Sequence, residues 1–183
     1  MIRRLILASG IAALCGTTPA AAFELHSPDV PANGMVPMAN VYDAHDCGGG
    51  NRSPALAWSG APARARSFAV TVFDTDARGG AGWWHWLVID IPATIRGLPA
   101  NAGATGGAQL PAGALPVRNS FGSAAYGGPC PPPGDAPHHY VFTVYALKTP
   151  RLALPADAAT AAADAAIRAD AIATARFTAR YGR

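Results

Sequence analysis

The stretch SFAVTVFDTDARGGAGWWHWLVIDIP, residues 67–92, decides the fold. Its first part, Ser67 to Phe73, carries Phe68, Val70, Val72 and Phe73, the β-branched and aromatic residues that suit a pleated, half-buried surface. That run stops at Asp74-Thr75-Asp76, crosses a loop over residues 77–82, and resumes as a second strand from Trp83 to Ile91, closed by Pro92. Two strong strands joined by a short glycine-bearing loop are expected at the centre of a sheet.

Working outward, Tyr140 to Leu147 is a third strong strand. Phe23 to Ser27 alternates apolar and polar residues, Met35 to Tyr42 reads as extended, and Leu56 to Trp58 is short and extended. Asp157 is placed to cap a helix running to about Ala173, because alanine is the strongest helix former. Period-two alternation from Arg176 to Tyr181 then predicts a closing strand. Residues 93–137 are rich in Gly, Ala and Pro, with only a short helix or turn expected near Ile95. With 20 Gly and 17 Pro in 183 residues, elements are short and turns many, which favours a β-sandwich or barrel over a helical bundle.

Arg3 and Arg4, the apolar run from Leu5 to Cys15 and the small residues Pro19 to Ala22 form the pattern of a secretory signal, too short to span a bilayer. The expected organisation is a signal peptide over residues 1–22, cleaved after Ala22, and one domain over 23–183, periplasmic or secreted. Leu14, bulky before Cys15, argues against lipoprotein processing. Removing the two signal arginines takes the charge from 14 − 11 = +3 to 12 − 11 = +1. There is a single lysine, Lys148, and no basic stripe, so nucleic acid is excluded as a partner. No later apolar stretch is long enough to cross a membrane. Cys47 and Cys130 remain after export; in an oxidising compartment such a pair is most simply a disulfide, two free thiols being the alternative.

Ionisable groups collect at strand ends. Asp74 and Asp76 end one strand, His85 opens the next, and His138 and His139 open the third, directly after the turn GPCPPPG (residues 128–134). If these strands are neighbours, an Asp, two His and several loop amides meet at one end of the sheet, a setting that suits an anion. Taken singly, each has a plainer reading: a turn-forming Asp, a half-buried His beside tryptophans, a rigid proline loop. Histidines 138 and 139 point to opposite faces of a strand, so one at most joins the site. The sequence has no HxH, HExxH or CxxC spacing for a metal, no Gly-x-Ser-x-Gly elbow for a hydrolase, and no P-loop lysine near Gly103–Gly107. Cys130 could act as a nucleophile beside His138 only if reduced.

Several of these motifs together resemble the phosphatidylethanolamine-binding protein family, in its bacterial, Raf-kinase-inhibitor-like branch. Ser27 to Pro37, Cys47-Gly48 and Asn51 to Trp58 are similar to the family's N-terminal signature. Asp74-Thr75-Asp76-Ala77 resembles its Asp-Pro-Asp-Ala-Pro motif, and Trp84-His85-Trp86 the histidine strand that follows. Gly128 to Gly134 with His138-His139-Tyr140 resembles its Gly-x-Pro-Pro-x-Gly…His-Arg-Tyr motif. The resemblance runs from about Phe23 to Arg183. It implies a Greek-key β-sandwich with a C-terminal helix. It also implies a small pocket lined by Asp74, His85, His138 and Tyr140 and walled by the proline turn with Pro131 and Pro132. The pocket would take small anions or phosphorylated headgroups, with no cofactor and no enzymatic activity. The alternative is a protein-interaction module that inhibits or modulates an exported enzyme or host partner. A hydrolase acting on a phosphate or ester is a third reading.

Three departures from the family pattern stand out. Thr75 replaces a proline, which implies a less rigid loop. His139 replaces an arginine, which removes a fixed charge and an ion pair. Cys130 stands where glycine is common, and a Cys47–Cys130 bridge would tie two loops beside the pocket, worth on the order of 4 kcal/mol in the chain-entropy model.

Overall fold

The structure, a computed structural model, describes residues 21–155 and 157–183. Residues 1–20, which carry most of the expected signal peptide, lie outside the described residues. The chain forms strands β1 (Glu24–His26), β2 (Leu56–Ser59), β3 (Ser67–Asp74), β4 (Trp83–Pro92), β5 (Gly97–Leu98), β6 (Leu115–Pro116) and β7 (His138–Leu147). Helix α1 (Thr160–Asp170) and strand β8 (Ala171–Tyr181) follow. Five strands make one antiparallel sheet in the order β6-β4-β3-β7-β8, and three make a second in the order β1-β2-β5. This is the mostly β, two-sheet sandwich with a C-terminal helix expected from the sequence.

The layers explain the burial patterns. Leu25, Leu56, Trp58 and Leu98 of the small sheet pack on Phe68, Val70, Val72, Trp86 and Phe142 of the large one, forming the main core. The opposite face of the large sheet is covered over only part of its area, where Ala163 and Ile167 of α1 pack on Ala69, Leu87, Ile89, Tyr145 and Leu147. Strand β3 is therefore buried on both faces and shows no alternation along most of its length. Strand β8 keeps a strict alternation: Ala175, Phe177, Ala179 and Tyr181 face the core, while Thr174, Arg176 and Arg180 face solvent.

Strands β3 and β4 pair with two irregularities. Val72 pairs with Trp86 and Phe73 with Trp84, so His85 is an extra residue on β4 with no partner opposite it. Such a bulge turns the alternation by one step. Trp84 stays on the outer face, packed beside the α1 cluster, while both His85 and Trp86 turn inward and are buried. The second irregularity leaves Asp90 with a left-handed φ of 57°; its carboxylate accepts the Leu152 amide at 2.8 Å.

Three local expectations are corrected. Helix α1 starts at Thr160 with Ala159 as its uncapped N-terminal residue, because the chain first makes a turn closed by the Ala158 amide on the Pro155 carbonyl. Asp157 is exposed and does not cap it. The helix gives way at Ala171, where pairing with Leu147 begins the closing strand five residues before the start expected from its alternation. Within Met35–Tyr42, residues Met38–Asn40 form a 3-10 turn rather than extended chain; the Asn40 side chain is buried and donates to the Arg52 carbonyl at 2.7 Å. Near Ile95 there is a turn, closed by its amide on the Pro92 carbonyl at 3.0 Å.

Cys47 and Cys130 form a disulfide that links the loop after residue 42 to the proline turn across 83 residues. Replacing both cysteines by serine is expected to lower the unfolding free energy of the oxidised protein by about 2–5 kcal/mol. Urea unfolding with and without reductant measures it: reductant should remove most of the difference between the two proteins.

Candidate functional site

Asp74 ends β3 as a hub. Its Oδ1 accepts the amides of Asp76 (2.9 Å) and Ala77 (3.1 Å), fixing the loop that follows. Its Oδ2 accepts Nδ1–H of His138, on the adjoining strand β7, at 2.8 Å. A second carboxylate repeats the clamp on the outside. Asp76 Oδ2 accepts the His139 amide (2.7 Å), the His139 ring (3.0 Å) and the Thr75 hydroxyl (3.1 Å). Burial works against the charged Asp76, but these hydrogen bonds, led by the His139 amide, outweigh it and hold the carboxyl below its ordinary value. Two sequence expectations change here. His139 keeps a carboxylate partner in Asp76, and Thr75 ties its loop down through its side chain and its amide, which bonds the His139 carbonyl at 3.0 Å.

His85, turned inward by the bulge, is 3 % exposed. Its Nδ1 lies 2.6 Å from the Gly127 carbonyl, so Nδ1 carries a proton and donates. The Gly127 amide in turn donates to the His85 carbonyl at 3.0 Å. Among the described residues Nε2 has no hydrogen-bond partner, and it sits 4.0 Å from Asp74 Oδ2. Burial dominates its ionisation: it pulls the imidazole down to about 4, against the opposing pull of the Gly127 carbonyl and the Asp74 charge. His85 is thus neutral at neutral pH, with a bare lone pair beside a carboxylate.

These groups open on a cavity of about 320 Å³. Asp74, His85, His138, Pro131 and Pro132 line it, at the end of the sheet where β3, β4 and β7 meet. Tyr140 does not line it. It is fully buried behind His85, with the rings edge to face at 5.2 Å and its hydroxyl without a hydrogen-bond partner among the described residues. Burial, then the Asp74 charge, pushes that phenol up, so it stays protonated. The amides of the proline turn contribute less than the sequence suggests. Those of Gly127 and Gly128 are taken by the His85 carbonyl and Asn51, and those of Gly134 and Asp135 by the Arg183 and Pro132 carbonyls. Three consecutive prolines have no amide hydrogen to offer.

The walls include residues that sequence reasoning missed: Arg78, Trp83, Phe121 and Asp135. Arg78 lies over the Trp83 ring at 5.1 Å, and Phe121 meets Trp83 and His85 edge to face. Phe121 is held there by Asn119, which is buried. Its amide nitrogen donates to the His85 and Ala125 carbonyls, and its oxygen accepts the Phe121 and Ser123 amides. Gly128 lets the proline turn press on the backbone of residues 40–42, where a Cβ would fall 2.4 Å from the Asn40 carbonyl oxygen. Among the described residues no three His, Cys, Asp or Glu side chains are grouped to hold a metal ion, and no helix is long and apolar enough to cross a membrane.

The buried neutral His85 makes a pH-dependent contribution of definite sign. Between its folded value near 4 and the ordinary 6.5, only the unfolded chain takes the proton. Stability is therefore expected to fall as pH drops from about 6.5 towards 4, and His85→Gln should flatten that part of the curve. Urea midpoints collected across this range test it; an unchanged slope in the variant would refute the assignment.

Comparison with known proteins places this architecture. The sequence profile described as phosphatidylethanolamine-binding protein matches residues 26–182. The UPF0098 protein YbcL of Escherichia coli is 44 % identical over 180 residues, covering 98 % of this chain and 98 % of YbcL. YbhB of the same organism is 38 % identical over 158 residues, covering 86 % of this chain and 99 % of its own length. The crystal structure of E. coli YbcL, described as a new member of the mammalian PEBP family, superposes with a TM-score of 0.86 at 45 % identity over 89 % of this chain and 99 % of that one. In sequence and in fold alike, this chain belongs to the phosphatidylethanolamine-binding protein family.

Proposed function

We propose that the protein is an exported, non-enzymatic binder of small anions or phosphorylated headgroups, taken into the cavity beside His85. The observation that carries this reading is the His85 Nε2, buried, without a partner among the described residues, and next to Asp74. A buried polar group left unpaired costs free energy, and a ligand at this spot removes the cost. Arg78 at the rim supplies positive charge and donors. Asp74, Asp76 and Asp135 share the same walls and disfavour a dianion.

A lone pair beside a carboxylate selects a particular ligand state. A phosphate monoester in its singly charged form brings a proton that its own hydroxyl can donate to Nε2. The doubly charged form has no such proton and meets the acids as well. Export is supported by the basic, apolar and small-residue pattern of the first 22 residues. The non-enzymatic reading is supported by the lining itself: it contains no serine or threonine, and its one cysteine, Cys130, is in the disulfide. A protein partner is the second reading, favoured by Met35 and Met38, which are 53 % and 52 % exposed near the end of β8; Met-rich surfaces adapt readily to partners. A stoichiometric partner recovered from the exported fraction, and retained by His85→Ala, would favour that second reading.

Calorimetric titration with phosphoethanolamine between pH 5 and pH 8 tests the first. Affinity is expected to be nearly constant below about pH 6, the second ionisation of a phosphomonoester, and to fall by up to about tenfold per unit above it. His85→Ala should remove both the binding and the pH dependence. No heat of binding at mildly acidic pH, or affinity that rises with pH, would overturn the proposal.

A further inference from the structure

The outer face of the large sheet, away from the His85 cavity, is covered by α1 only in part. The uncovered part is a groove of about 240 Å³. Its floor is a row across three strands: Thr71 on β3 pairs with Thr143 on β7, and Thr143 pairs with Arg176 on β8. Strands lie about 4.8 Å apart, so the three side chains stand in a line of about 10 Å. Trp84 and Phe73 form one wall, their rings in contact with centroids 4.4 Å apart. Trp84 is on this face only because of the bulge at His85, and Gly82 leaves the space that the Phe73 ring fills.

Several polar groups of the groove make no hydrogen bond to the described residues. The Thr71 and Thr143 side chains are more than nine-tenths buried, yet neither hydroxyl has a hydrogen-bond partner among the described residues. Arg176 makes no ion pair or hydrogen bond among them. Arg168 reaches the groove from α1 with its Nε on both oxygens of Asp164, which leaves its two terminal nitrogens free. No carboxylate lines the groove.

From this arrangement we infer a second binding site, for a carboxylated sugar ring such as a uronic acid unit of an anionic glycan. Each part of such a ring has a counterpart. The apolar C–H face lies against the indole of Trp84, as amphipathic rings favour. The ring hydroxyls meet Thr71 and Thr143, which can both donate and accept. The carboxylate lies between Arg176 and Arg168, whose planar forks suit it. A second copy of this chain would set Arg176 against Arg176, so charge argues against self-association through this face. The site shares no residue with the His85 cavity and stands independently of the function proposed for it.

The test is an NMR titration of the full folded protein with a galacturonic acid tetramer, against maltotetraose as the neutral control, inorganic sulfate and a polyglutamate peptide. The uronate is expected to shift the Thr71, Thr143, Trp84 and Arg176 signals. Arg176→Gln should weaken it about tenfold, the scale of one charge-assisted hydrogen bond, Thr143→Val severalfold, and His85→Ala not at all. Equal binding of maltotetraose, sulfate binding as tightly as the tetramer, tighter binding of polyglutamate, or an Arg176→Gln variant that binds like the parent would each overturn the inference.

Discussion

One extra residue in β4 sets both faces of the molecule. Without the bulge at His85, Trp84 and Trp86 would share a face, and His85 would point the other way. With it, Trp86 fills the main core, His85 joins it on the inner side, and Trp84 is left outside on the open part of the sheet. The bulge sits against β3, which is buried on both faces, so it cannot slip without moving the core of the whole sheet.

The Asp74 carboxylate converts that strand geometry into a site. It spends one oxygen on two loop amides and the other on His138, joining the end of β3 to the start of β7. The neighbouring His85 could have been a fourth donor to it, but its burial is too complete for a charge to form at neutral pH. A neutral imidazole whose bare lone pair lies next to a carboxylate is an unfinished arrangement, which a proton-donating group would complete. The aromatic wall of Trp83 and Phe121 makes the setting drier and strengthens every such interaction.

Much of this was legible in the sequence. The three strong strands announced themselves through Phe68, Val70, Val72 and the Tyr140–Leu147 run, and the clustering of Asp74, His85 and His138 follows once those strands are neighbours. What was hidden was hidden for physical reasons. Alternation cannot show a bulge, so the opposite fates of Trp84 and Trp86 could not be read. Asn119 and Phe121 lie in a stretch without periodicity, and their role comes from four hydrogen bonds made within the folded loop and to β4. Family likeness puts Tyr140 on the wall, while packing sets it behind His85. The capping role expected of Asp157 failed because a turn at Pro155–Ala158 comes first.

The long return from β4 to β7 has a kinetic meaning. Asp74 and His138 are 64 residues apart in the chain, and their strands can pair only after that span has been closed, an entropic cost met before any contact rewards it. The hairpin of β3 and β4 is local and can form early; the cavity cannot exist until the distant strand has docked. The cavity beside His85 is therefore a property of chains that have finished folding, and a chain still searching for β7 presents no partial version of it.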